Sequence, residues 1–147
     1  MTTGATESSR VLGRSRFTSE FQVRPDDIDM FQHVHSSKYL DYVLAARVDQ
    51  MARCYGMAME EFLKLGLAWF QRSAQLEYKR PLRMSDRFQV TTWIDGMDKD
   101  TVAVGFEIRR AENQKLCCDG RCEYTLVNVA TGRAEVIPDS IATKYAV

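Results

Sequence analysis

From Ser37 to Leu65 the chain runs for about 28 residues with no proline and one internal glycine, Gly56, and everything after Gly66 breaks into short extended segments. One long helix followed by strands restricts the fold to few architectures. Tyr39, Tyr42/Val43 and Ala46, then Met51 and Cys54/Tyr55, recur at helical spacing and define a single apolar face. Unbroken, such a helix would reach about 42 Å, more than a strand of average length covers, so a break near Gly56 and a second piece over Met59 to Leu65 are expected.

Before the helix, Phe17 to Val23 alternates apolar and polar residues and ends at Pro25, the pattern of a half-buried strand. After it come four segments rich in Val, Tyr, Thr and Leu: Ala68 to Lys79, Arg87 to Ile94, Thr101 to Arg109 and Lys115 to Val129. Turn signals at Pro81 to Ser85, Asp95-Gly96 through Asp100, and Glu112-Asn113-Gln114 separate them, with Thr131-Gly132 closing the last. Connections this short require antiparallel neighbours. Ile137-Pro138-Asp139-Ser140 starts one short helical turn. The expected fold is α+β, a curved five-stranded antiparallel sheet around one long central helix, in a single domain over residues 15–147. Residues 1–14, small and polar, read as a flexible tail rather than a secretory signal or anchor.

Charge narrows the function. Twenty basic residues balance twenty acidic ones, so nothing points to nucleic acid or an anionic membrane, and no apolar run approaches the roughly 20 residues of a membrane span. A cytoplasmic protein is expected. Cys54, Cys117, Cys118 and Cys122 lack the spacing of a disulfide framework or a zinc site and read as reduced packing thiols. Two sheet edges would remain unpaired, so pairing of an edge strand with its copy predicts a homodimer, with a dimer of dimers left open.

The chemistry concentrates in Arg24-Pro25-Asp26-Asp27-Ile28-Asp29-Met30-Phe31-Gln32-His33-Val34-His35, placed directly before Ser36, Ser37 and the helix. A helix N-terminus exposes unpaired N–H groups and the positive end of the dipole, so it favours negative charge developing beside it. Ser36 or Ser37 can supply the N-cap side chain, although no acidic residue three positions on completes a capping box. From the residues alone, Asp26, Asp27 and Asp29 also suit an Asx turn after Pro25. His33 and His35 are the chain's only histidines, too few for a histidine-built metal centre, and no metal or cofactor is expected.

These residues resemble the hotdog-fold acyl-CoA and acyl carrier protein thioesterases of the 4-hydroxybenzoyl-CoA thioesterase class. Three features carry the resemblance over residues 17 to 140: the Asp27-x-Asp29 loop with its aromatic and histidine residues, Gln75-Leu76-Glu77-Tyr78-Lys79-Arg80-Pro81-Leu82-Arg83 leading to Asp86, and Val136-Ile137-Pro138. The resemblance implies that Asp29 is the catalytic carboxylate. The loop is also similar to that of plant acyl carrier protein thioesterases, with Asp29 and His33 on their aspartate and histidine, but Phe31 replaces their asparagine, and Pro81 and Leu82 their glutamate–cysteine pair. The bacterial scheme with one essential carboxylate matches better.

The expected reaction is hydrolysis of an acyl thioester, on coenzyme A or a carrier protein, to a carboxylic acid and a thiol. Asp29 either activates water or attacks the carbonyl to form a mixed anhydride, while backbone N–H groups near Ser36 and Ser37 polarise the carbonyl oxygen. A free carboxylate is a weak base at neutral pH, so Met30, Phe31 and Val34 are expected to supply a dry surface beside it. His33 can orient water or the thioester; Asp27 is expected to hold the loop. Tyr39 is expected at the substrate, and Lys79, Arg80, Arg83 and Lys99 are candidates for phosphate groups. Relatives place arginines for coenzyme A at the strand turn that Lys99 occupies, but here Asp98 and Asp100 flank it. Most of Tyr39, Tyr42, Val43, Trp69 and Phe70 are expected in the core. Two other classes compete: a non-catalytic acyl-carrier binding module and a hotdog dehydratase or hydratase.

Overall fold

The computed structural model describes residues 15–147; the expected tail over 1–14 lies outside them. Strand β1 (Phe17–Gln22) leads through a 3-10 turn (Pro25–Asp27) to helix α1 (Lys38–Arg53) and the short α2 (Met59–Lys64). Strands β2 (Leu67–Tyr78), β3 (Arg87–Met97), β4 (Thr101–Arg110) and β5 (Leu116–Asn128) follow, and α3 (Asp139–Tyr145) closes the chain. All five strands join one antiparallel sheet in the order β1-β3-β4-β5-β2.

Period-two alternation turns Phe88, Val90, Thr92 and Ile94 of β3 inward, and Val102, Val104, Phe106 and Ile108 of β4 join them. Helix α1 lays Tyr39, Val43, Ala46, Arg47, Gln50 and Met51 into the same space, the i, i+4, i+7 stripe of a helix buried along one face. The sheet therefore wraps α1, as expected for the hotdog fold. Burying a polar residue in this core requires partners, and Gln50 has them: its amide donates to the Phe17 carbonyl at 3.1 Å and Ser19 Oγ at 3.0 Å and accepts from Thr92 Oγ1. Gly120 is demanded by close approach, because a Cβ there would lie 1.8 Å from the Gln75 carbonyl oxygen.

The break expected near Gly56 is present: helix α1 ends at Arg53, and Gly56 adopts a left-handed φ of 72° that reverses the chain before α2. Other boundaries differ from the sequence reading for local reasons. Asp95 and Gly96 do not begin the turn; β3 passes through them by a register shift between Ile94 and Gly96, and the reversal occurs at 98–100. The single closing turn is a seven-residue helix, α3, whose Ile141 and Tyr145 are buried four residues apart. No helix among the described residues is long and apolar enough to cross a membrane.

Strand β1 has six residues, whereas β2 has twelve and most are exposed along its open edge. The open edge of β2 and the N-terminus of α1 lie at the same end of the molecule, bridged by Tyr78, whose hydroxyl donates to the Ser36 carbonyl at 3.3 Å.

Candidate active site

Asp27 anchors the loop before α1. Its side chain is buried, Oδ2 accepts from the Arg24 N–H at 3.1 Å and the Tyr42 hydroxyl at 2.7 Å, and its carbonyl accepts from the His35 N–H at 2.9 Å. Burial, with the neighbouring Asp27 carboxylate, pushes the Tyr42 hydroxyl well above its ordinary pKa and keeps it a donor. The Val34 N–H donates to the Leu82 carbonyl at 2.8 Å, and His33 bridges Arg83, tying the loop to the segment that leaves β2.

Asp29 opens a tight turn on this anchored base. Its N–H donates to the His33 carbonyl at 2.8 Å, and Gln32 takes a left-handed φ of 69° to close the reversal. Oδ1 accepts from the Phe31 N–H at 2.8 Å and the His33 N–H at 3.3 Å. Oδ2 has no protein donor among the described residues. The carboxylate is thus held by one oxygen and free at the other.

An open cleft of about 460 Å³ runs past this turn, lined by Asp29, His33, Val34, His35, Ser36, Tyr39, Tyr78, Lys79, Arg80 and Pro81. Asp29, His33, Ser36 and Tyr39 from the loop and the start of α1, and Lys79 and Arg80 from just past the end of β2, therefore meet at one surface. Ser36 has no acceptor for its N–H among the described residues, and it lies at the start of α1 where the dipole is positive. Ser37 does not line the cleft: its N–H donates to His35 Nδ1 at 3.1 Å, and its Oγ lies 2.8 Å from the same nitrogen. Neither serine hydroxyl caps the helix. Of the two amides expected to polarise a carbonyl, only that of Ser36 is available.

The remaining expectations divide. Tyr39 is buried and accepts the Leu82 N–H at 3.0 Å, so it pins the strand exit to α1 while its edge faces the cleft. Burial raises its pKa. Lys79 pairs with Glu77 at 2.8 Å and Arg80 donates to the Leu116 carbonyl at 2.9 Å; both are exposed at the rim. Lys99 is elsewhere, at the β3–β4 turn, roughly 30 Å along the strands from the cleft within one chain. Met30 and Phe31 do not dry the carboxylate, since the turn throws them outward to 87% and 72% exposure; Val34 alone of the three is buried. Tyr78, at the end of β2 beside Lys79, also lines the cleft, and no motif in the sequence marks it as a site residue.

Residues 23–145 match the thioesterase-like superfamily. The chain belongs to that superfamily. No curated protein matches its sequence. Among solved structures, members of this superfamily's fold recur. The 1,4-dihydroxy-2-naphthoyl-CoA thioesterase Slr0204 from Synechocystis has a TM-score of 0.81 at 19% identity over 89% of this chain and 96% of its own. The hypothetical protein TT1821 from Thermus thermophilus scores 0.82 at 23% identity, covering 90% and 96%. SAV2348 from Staphylococcus aureus, solved in complex with CoA, scores 0.79 at 22% identity, covering 90% and 82%. At such identities the likeness is one of fold, and the thioesterase-like site must be argued from its own residues.

Proposed function

We propose that this chain hydrolyses acyl-CoA thioesters to a carboxylic acid and free coenzyme A. The observation that carries the reading is the pairing, in one cleft, of an Asp29 oxygen and the Ser36 N–H at a helix N-terminus, both without a partner among the described residues. The thioester carbonyl oxygen accepts from the Ser36 N–H, which stabilises the charge that develops on it. Asp29 then takes a proton from water as the water oxygen bonds to the carbonyl carbon; collapse breaks the C–S bond and the thiolate recovers the proton. In the covalent variant Asp29 itself bonds to that carbon, expels the thiolate, and water cleaves the anhydride. His33, with its backbone fixed by Asp29, is placed to orient the water.

A coenzyme A thioester is favoured over a carrier-protein substrate by the rim cations Lys79 and Arg80 and by the similarity to SAV2348 in complex with CoA. Homodimerisation strengthens that case. Antiparallel pairing of β2 with its copy would put the Leu67 end of one strand against the Tyr78 end of the other. The β3–β4 turn lies at the Leu67 end, since the Asp100 carbonyl accepts from Leu126, whose neighbours in β2 are Ala68 to Phe70. Lys99 of the partner subunit would thereby approach the cleft that it cannot reach in its own chain. The mass in solution, expected at twice the 16.9 kDa chain, checks the pairing, and a monomer would remove this role. The four unpaired cysteines suit the reducing cytoplasm, where fractionation should find the protein.

Incubation with a panel of acyl-CoA esters and a thiol-trapping dye tests the activity. Free coenzyme A should accumulate with at least one ester. Tight binding without release would instead support an acyl-carrier binding module, and an enoyl product a dehydratase.

A further inference from the structure

Arg47 is a buried charge with no counter-charge among the described residues. It lies on the buried face of α1, is 4% exposed, makes no ion pair among the described residues, and leaves its NH1 without a hydrogen-bond partner among them. Gln50, less than one turn along, is fully partnered. The Arg47 guanidinium carbon sits 5.4 Å from the Tyr124 ring centre and 6.0 Å from that of Tyr145. Tyr145 in turn packs against Tyr55 at 4.9 Å and Trp69 at 5.9 Å. Four elements and the α1–α2 connection therefore converge on one point.

Five polar atoms of the group are sealed and without a partner among the described residues: Arg47 NH1, the hydroxyls of Tyr55, Tyr124 and Tyr145, and Trp69 Nε1. Each can donate. Burial raises the pKa of all three tyrosines, Tyr55 to about 12, so their hydroxyls stay protonated. The acceptors nearby are neutral, the three hydroxyl oxygens and the Gln71 Oε1 on the residue opposite Tyr124 in the sheet register, and none of them carries the charge that would compensate a guanidinium. Asp27, the only buried carboxylate among the described residues, is committed to Tyr42 and Arg24. A buried cation without a counter-charge is strongly unfavourable, and the aromatic faces offset only part of that.

We propose that Arg47, Tyr55, Tyr124, Tyr145 and Trp69 form an internal binding site for a small monovalent inorganic anion of chloride size. A single-atom anion accepts from several donors without directional demands and carries the charge that Arg47 lacks. The sealing of these atoms from solvent disfavours a bulky carboxylate or phosphate. Bound there, the anion ties α1 to β2, β5 and α3 as a structural ligand. The site is separate from the cleft and does not depend on the proposed hydrolysis.

The test uses the full-length chain, unfolded and refolded in sodium gluconate and then titrated with sodium chloride or bromide at constant ionic strength. Thermal unfolding should shift upward by at least about 3 °C and saturate, as for a ligand bound only by the folded state. Crystals grown in bromide should give an anomalous peak among the five side chains. Arg47→Met should abolish the dependence on halide; should that variant fail to fold, the wild-type titration and the bromide crystals decide the question. Equal unfolding midpoints in gluconate, chloride and bromide would overturn the proposal, as would ordered water without bromide in the cluster or an undiminished halide effect in Arg47→Met.

Discussion

Replacing Asp29 with asparagine should lower kcat for acyl-CoA hydrolysis at least about 100-fold while leaving the fold intact. The substitution is selective because the two oxygens of Asp29 do different things. Oδ1 shapes the turn by accepting from Phe31 and His33, and an asparagine oxygen can take both N–H groups. The other oxygen has no partner among the described residues, and it becomes an NH2 that neither accepts a proton nor attacks a carbonyl. Rate should fall and thermal stability should hardly change. A variant retaining more than a tenth of wild-type thiol release, with normal stability, would place the essential group elsewhere.

The neighbouring aspartate should behave in the opposite manner. Asp27→Ala is expected to destabilise the protein by about 3 kcal/mol, because it removes a buried, charge-assisted acceptor and orphans its donors. The Tyr42 hydroxyl at 2.7 Å and the Arg24 N–H at 3.1 Å both lose their partner, and the Arg24 guanidinium loses a carboxylate 3.9 Å away. Tyr42 also packs on Phe88 with ring centres 4.5 Å apart, so its loss of anchorage reaches the core. Asp27→Asn, which retains one acceptor, should cost less. Activity should decline in step with folded fraction, since the loop carrying Asp29 rests on Asp27. Denaturant unfolding checks the energy, and a loss below about 1 kcal/mol would mean that the loop is held by its backbone bridges to Leu82 and Arg83 instead.

The contrast between Asp27 and Asp29 was legible in the sequence only through resemblance, because three aspartates after a proline have an adequate explanation as a turn. The fold was more directly readable. Tyr39, Val43, Ala46, Gln50 and Met51 have only one face to bury, and four β-rich runs with short connections have few ways to pair. What escaped was decided by geometry that periodicity does not encode. Whether Gly96 turns or bulges depends on its partners in β4, and Ser37 spends its hydroxyl on His35 rather than on the helix because the two residues curl together. Lys99 reads as a phosphate ligand from its place in a turn, yet its distance from the cleft depends on which sheet end the turn occupies. Arg47 was visible in principle: a charge on the stripe running from Tyr39 to Met51 calls for a partner.

The most direct measurement is a crystal structure of the protein with an inert thioester analogue. The carbonyl carbon should lie within about 3.5 Å of the free Asp29 oxygen, and the carbonyl oxygen within hydrogen-bond distance of the Ser36 N–H. An analogue bound with its carbonyl out of reach of both groups, or an Asp29 carboxylate turned to bulk water in the complex, would contradict the mechanism.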